Sequence, residues 1–187
     1  VITIAAVLIL GVGGWYVSSG DFTSTGNQTA TVISADQTVA TVNGERIFGA
    51  DFNILQTQIV AERELELDTL NKQEKDQLQT QIMDMLISRI LLQQAVLNST
   101  DINITESEIA VQMEIIKSRF ENEEAFNEAL AAQGITKEAL QTQVGYELAT
   151  QEYLEQELNI PYVDVTEAAV NTLIEELKAE ARIEILI

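Results

Sequence analysis

The stretch VATVNGERI, residues 39–47, decides the fold because it predicts a β-hairpin in an otherwise helical chain. Asn43-Gly44 lies between two β-prone runs, and this pair is the strongest short signal of a type I′ turn. A lone hairpin is marginal in water. A second β-prone run, RIEILI, lies at residues 182–187. We predict that it returns as a third strand and ties the ends of one closed domain together.

The residues between these runs have helical periodicity and almost no strand signal. Capping boxes at Asn71/Glu74 and Thr105/Glu108 mark two helix starts, and Pro161 breaks the chain after a long helix. The fold class is therefore mainly α: a bundle of about six helices with a small sheet, plus an N-terminal membrane-spanning or signal segment. Four of the predicted helices cover approximately residues 50–65, 71–97, 123–132 and 137–158. Another opens at the Thr105/Glu108 capping box and carries Ile109, Met113, Ile116 and Phe120, and a last one is capped by Thr166.

The composition is sufficient for a hydrophobic core and excludes several kinds of catalytic and metal site. The apolar fraction of 46% in 187 residues is enough for a real core. There are no cysteines and no histidines, which removes disulfides, usual zinc sites, thiol nucleophiles and Ser-His or Cys-His relays.

The charge is strongly negative, with 30 acidic and 10 basic residues and a net charge of −20. Such a surface repels phosphate backbones, so nucleic acid is not an expected partner. The acidic residues can simply be solvated helix faces that keep the protein soluble, or they can attract basic clients.

The N-terminal segment VITIAAVLILGVGGWYV, residues 1–17, carries no charge and is near the lower length limit of a membrane span. It is predicted to be either a transmembrane anchor or a signal segment. No Lys or Arg occurs between Val1 and Glu45, which places the downstream part outside under the positive-inside rule. Residues 18–37 are predicted to be a flexible linker, and residues 38–187 the helical domain.

No catalytic, cofactor or metal site is predicted. Glu62, Glu64 and Glu66 alternate, which on a helix splays their carboxylates around the axis. No Gly-rich loop precedes a basic residue, and no Asp/Asn ladder resembles a calcium loop.

Apolar side chains remain as candidates for function. Methionine adapts to irregular shapes and is favoured where one surface accepts many partners, although core filling is the simpler interpretation. The candidate client-binding residues are Phe52, Met83, Met113, Phe120, Phe126, Tyr146 and Tyr153.

The order of these elements resembles the SurA-type N-terminal chaperone domain, a SurA/PrsA-like domain related to trigger factor. VATVNGERI, then a helix, then QTQIMDMLISRILLQQA is similar to the opening of that domain, and a family pattern of apolar and capping residues continues downstream. The resemblance covers approximately residues 39–187. The matching later residues are Phe120, Phe126, Leu130, Gly134 and Thr136.

The chain departs from many relatives of this kind. Val165 to Val170 runs straight into the last helix, with no space for a parvulin-type prolyl isomerase module, and the lipid-attached cysteine of PrsA-like relatives is absent. The resemblance therefore implies a chaperone without isomerase activity.

Three functions follow as hypotheses. The first is an extracytoplasmic, membrane-anchored holdase that binds unfolded segments of exported proteins, or a secreted or periplasmic one if residues 1–17 are cleaved. The second is a membrane-tethered structural or assembly adaptor for one defined partner. The third is a peptidyl-prolyl isomerase. Client identity and oligomeric state stay open.

Overall fold

The computed structural model describes residues 33–187. The predicted anchor or signal segment, residues 1–17, and most of the predicted linker, residues 18–37, lie outside the described residues. Within residues 33–187, no helix has both the length and the apolar character needed to cross a bilayer. This part of the chain contains six α-helices and a three-stranded sheet, which confirms the prediction of a mainly helical fold.

The predicted hairpin is confirmed. It consists of β1, Thr38–Val42, and β2, Glu45–Phe48, which pair in antiparallel register. Asn43 and Gly44 have φ angles of 53° and 90°, both positive as a type I′ turn requires. Asn and Gly take this conformation at the least steric cost, so the sequence of the turn determines its geometry.

The predicted third strand is also confirmed as β3, Ile183–Ile185. It pairs antiparallel with β1, so that Ala40 lies opposite Ile185 and Val42 opposite Ile183. The order of the sheet is β2-β1-β3. Since β1 is the central strand, its residues Ala40 and Val42 are fully buried.

Each predicted helix is present. The first ends at Glu62, not at Leu65 as predicted, because Glu64 takes a left-handed φ of 53° and the Leu65 N–H bonds back to the Val60 carbonyl at 2.9 Å. The helices are α1 Gly49–Glu62, α2 Lys72–Asn98, α3 Glu106–Lys117, α4 Glu123–Ala132, α5 Lys137–Leu158 and α6 Glu167–Glu180, with a 3-10 turn at Tyr162–Asp164.

The described residues form two compact units. The sheet unit comprises residues 33–95 and Glu167–Ile187, and the helical unit comprises Val96–Thr166. The core of the sheet unit is built from β1, β2, α1 and α2, and partly buried residues of α6 and β3 pack against it. Its buried residues are Val39, Ala40, Val42, Ile47, Phe52, Leu55, Ile59, Leu78, Ile82, Met83, Leu86, Ile87, Ile90 and Leu91.

The helical unit has a smaller core in which α3, α4 and α5 each contribute one fully packed side chain. These are Met113, Phe126 and Val144. Partly buried residues surround them, namely Ile109, Ile116, Phe120, Leu130, Leu140 and Leu148.

A polar network joins the hairpin turn to α2 and β3 within the sheet unit. The Asn43 Oδ1 accepts a hydrogen bond from the Arg182 N–H at 2.9 Å, and its Nδ2 donates to the Gln94 Oε1 at 2.8 Å. Gln94 Nε2 in turn donates to the Val42 carbonyl at 3.1 Å and to the Glu45 carboxylate at 2.8 Å. These hydrogen bonds attach the turn to α2 and to the residue that precedes β3.

The end of the predicted linker is bonded to the folded part. The Gly49 N–H donates to the Gln37 carbonyl at 2.7 Å, and Asn53 Nδ2 donates to the Ile33 carbonyl at 2.6 Å. Residues 33–37, at the end of the predicted linker, are therefore attached to the start of α1.

Candidate functional site

The seven predicted client-binding residues are mostly interior. Five of them are buried, namely Phe52, Met83, Met113, Phe126 and Tyr153, and the other two, Phe120 and Tyr146, are half-buried. Phe120 and Phe126 stack edge to face, with ring centroids 5.4 Å apart. Phe52 and Met83 stabilise the core of the sheet unit, and Met113, Phe120 and Phe126 stabilise the core of the helical unit. A client-binding role for the seven residues stays a prediction.

The exposed apolar side chains are different residues. The largest ones in the described part of the chain are Ile54, Met85, Leu97, Val111, Ile115, Val163, Ile185, Leu186 and Ile187. Met85 is exposed although Met83, two residues earlier, is buried. Residues two apart on a helix point in different directions, so apolar character alone did not distinguish the two.

The outer face of α3 and its C-cap residue gather exposed small, apolar and acidic side chains into one surface, which we name the α3 stripe. Its members follow helical spacing and line an open concavity of about 500 Å³. They are Ser107, Ala110, Val111, Glu114, Ile115 and Ser118. Val111 is 60% exposed and Ile115 is 45% exposed. Contiguous exposed apolar surface is typical of protein-interaction sites.

The opposite face of α3 holds the helix in place. Met113 is buried in the core of the helical unit, with Ile109 and Ile116 packed beside it. A Cβ added to Gly145 on α5 would lie 3.1 Å from Ile109 Cδ1, so α5 approaches α3 closely at that point. α3 carries apolar residues on both of its faces. One face packs in the core of the helical unit, and the apolar residues of the other face stay exposed.

A capping box fixes the start of α3. The Glu108 carboxylate accepts hydrogen bonds from the Thr105 hydroxyl at 2.6 Å and the Thr105 N–H at 2.8 Å. These bonds lower the pKa of Glu108 below its ordinary value. The carboxylate is therefore ionised at neutral pH and complements the positive end of the helix dipole.

One ion pair lies at the C-terminal end of the α3 stripe. Lys117 Nζ is 2.7 Å from Glu114 Oε1. The hydrogen bond between them lowers the pKa of Glu114 and raises the pKa of Lys117. Both groups are charged at neutral pH, so this part of the stripe carries a balanced pair beside its apolar residues.

Burial shifts the pKa of three groups elsewhere in the helical unit, namely Glu147, Tyr153 and Tyr162. Burial raises the pKa of Glu147, and burial together with the neighbouring Glu147 charge raises the pKa of Tyr162. The Tyr162 N–H donates to the Glu155 carboxylate at 2.6 Å, which ties the 3-10 turn to α5. In residues 33–187, no group of three or more acidic side chains is placed to hold a metal ion.

The described residues define a mainly helical class of protein that contains a small three-stranded antiparallel sheet. Comparison with protein families matches the SurA-like N-terminal domain over residues 1–154 and finds no parvulin module. The chain belongs to this family, as the hairpin and helix pattern predicted. The family is of chaperone type, its domains generally bind unfolded polypeptides, and this domain is its non-catalytic part. A search of curated proteins finds no match.

Proposed function

We propose that this chain is a holdase that binds unfolded segments of exported proteins and performs no catalysis. The observation that carries the proposal is the α3 stripe, because Val111 and Ile115 remain exposed beside an open concavity although α3 already fills the core with its other face. An apolar surface of this kind can bind apolar segments of many sequences with modest affinity.

The charge of the chain supports a role with unfolded clients. A net charge of −20 keeps a protein with exposed apolar side chains soluble, since the molecules repel one another. The same field attracts basic segments and accelerates their encounter with the stripe. We therefore expect clients that combine apolar and basic residues.

The proposed location is the extracytoplasmic side of the cell membrane, with residues 1–17 as the anchor, or the periplasm or exterior if that segment is removed. The uncharged sequence of residues 1–17 and the absence of Lys and Arg before Arg46 support this proposal. Fractionation of the native protein followed by N-terminal sequencing tests it. Recovery in the cytosolic fraction with residues 1–17 intact would contradict it.

Suppression of aggregation tests the function. The full chain, in phosphatidylcholine nanodiscs, is mixed with a chemically unfolded exported protein, and light scattering is followed. We expect the double variant Val111→Gln/Ile115→Gln to lose most of the suppression, because it removes the apolar part of the stripe. The matched control is Val163→Gln/Leu97→Gln, which changes two exposed apolar residues outside the stripe.

The outcome separates the holdase from the other candidate functions. Equal suppression by the two double variants would contradict a role for the stripe. Binding to a single folded partner, without suppression, would favour the adaptor function, because a compact apolar surface can also bind one defined partner. Acceleration of prolyl isomerisation in a proline-containing peptide would overturn the proposal that no catalysis occurs.

A further inference from the structure

The outer edge of β3 presents backbone groups with no partner among residues 33–187. The Asn43 N–H donates to the Arg182 carbonyl at 2.8 Å, and the Leu186 N–H donates to the Val39 carbonyl at 2.9 Å. In an antiparallel ladder, alternate residues of a strand point their N–H and C=O groups towards one neighbour. Even-numbered residues of this segment therefore face β1, and Ile183, Ile185 and Ile187 direct their backbone groups outward.

The side chains on this edge are apolar and partly uncovered. Ile183 packs against the core of the sheet unit, and Ile185 lies opposite the buried Ala40 on the same face of the sheet. Ile185 is nevertheless 56% exposed, and Ile187 is also exposed. A further strand beside β3 would extend the sheet and cover these side chains.

The net charge of the chain, and of the segment that contains β3, favours a basic occupant. Residues 167–187, which form α6 and β3, contain five acidic and two basic residues. Both basic side chains are engaged: Lys178 pairs with Asp84 and Glu175, and Arg182 pairs with Glu184. The surplus of negative charge repels a second copy of this chain and attracts Lys or Arg.

We propose that the outer edge of β3 binds an extended client segment by strand addition, and that the segment has apolar residues at alternate positions with basic residues between them. The choice of occupant rests on the proposed function. Backbone hydrogen bonds to Ile183, Ile185 and Ile187 supply affinity without a sequence requirement, while alternate side chains pack on the exposed isoleucines. This surface belongs to the sheet unit and shares no residue with the α3 stripe.

The test uses a peptide of nine residues in which Val and Lys alternate, labelled with a neutral fluorophore. Its binding to the full chain in phosphatidylcholine nanodiscs is measured by fluorescence anisotropy, with empty nanodiscs as the blank. Ile185→Pro removes the outward N–H but leaves the Leu186 N–H that bonds to β1. Ile185→Ala is the matched control, because it removes most of the same side chain and keeps the N–H.

We expect Ile185→Pro to bind the peptide about tenfold more weakly than Ile185→Ala, the effect of losing one backbone hydrogen bond. A peptide with Glu in place of Lys should bind more weakly to every variant. Equal affinity of the two variants, equal binding of the two peptides or no binding to the unmodified chain would each overturn the proposal. A dimer of the unmodified chain that Ile185→Pro dissociates would show that a second copy occupies the edge, which also overturns it.

A second measurement does not depend on the folding of the proline variant. In the unmodified chain, added Val/Lys peptide should slow hydrogen exchange of the Ile185 amide and leave the Leu186 amide, already bonded to Val39, unchanged. Unchanged exchange at Ile185 in the presence of saturating peptide would contradict strand addition. If aggregation is still suppressed in that case, the holdase function stands and only the edge proposal fails.

Discussion

The backbone conformation of Asn43 could be predicted from the sequence, but the contacts of its side chain could not. The Asn-Gly pair predicts the turn, because both residues tolerate positive φ. The two tertiary bonds of the Asn43 side chain were not predicted. Their partners, Gln94 and Arg182, lie 51 and 139 residues away along the chain, and no local pattern indicates that they approach the turn.

Replacement of Asn43 by Ala is expected to destabilise the fold by about 2–3 kcal/mol, the sum of two lost hydrogen bonds and the cost of a left-handed Ala. The measurement is urea denaturation followed by circular dichroism. Asn159→Ala is the control, because Asn159 has a similar left-handed φ, 51° against 53° for Asn43, at the exposed end of α5. We expect it to cost only about 1 kcal/mol. Equal losses in the two variants would contradict the role of the Asn43 network.

Replacement of Gly49 by Ala is expected to destabilise the sheet unit by about 1–3 kcal/mol, since a Cβ at this position overlaps the Ser34 carbonyl oxygen. Gly145→Ala is the control, because its Cβ meets only the flexible side chain of Ile109 and a helical Ala is favoured over Gly. Thermal unfolding measures both. A Gly49→Ala melting temperature equal to that of the unmodified chain would show that residues 33–37 do not pack against the start of α1.

At the scale of the element, α3 could be predicted only in part. Ile109, Met113 and Ile116 predict one buried face, which the structure has. Val111 and Ile115 also recur at helical spacing, on the other side of the helix. The local sequence does not indicate which of the two apolar faces of α3 packs in the core, because the buried face depends on where α4 and α5 lie. The residues of the α3 stripe are therefore absent from the predicted client-binding set, which consists of aromatic and methionine side chains that are buried or half-buried.

The capping box of α3 predicts a specific pH dependence. The pKa of Glu108 is lowered from 4.5 in the folded state, so the unfolded state binds more protons in the range just below that value. The stabilisation is complete above pH 4.5 and is lost as the pH falls through the folded pKa. Thermal unfolding of the unmodified chain and Glu108→Gln should therefore differ most near neutral pH, with the difference shrinking in acid.

The control for this experiment is Glu106→Gln, which removes a carboxylate in the same first turn of α3. It separates the capping interaction from the general effect of charge near the helix start. A difference between the unmodified chain and Glu108→Gln that stays constant down to the acid limit would contradict the capping account.

At the scale of the whole molecule, the sequence predicted the closure of the sheet by its last strand but not the division into two units. β3 was predicted for two reasons. A two-stranded hairpin is marginal alone and has a free edge for another strand, and the run RIEILI, residues 182–187, is β-prone. The division near Val96 has no local signal, because α2, Lys72–Asn98, runs through it without a break in composition or helical period. Tertiary packing alone defines the two units.

The central claim is that unfolded polypeptide binds to the α3 stripe, and site-specific photo-crosslinking tests it most directly. A photoreactive amino acid is placed at position 111, 115 or 163 of the full chain, and each protein is irradiated with an unfolded client. Position 163 is the control, because Val163 is apolar and 86% exposed but lies outside the stripe. We predict strong crosslinks to the client at positions 111 and 115 and weak ones at position 163. Crosslinks of equal yield at all three positions, or none at 111 and 115, would contradict the account.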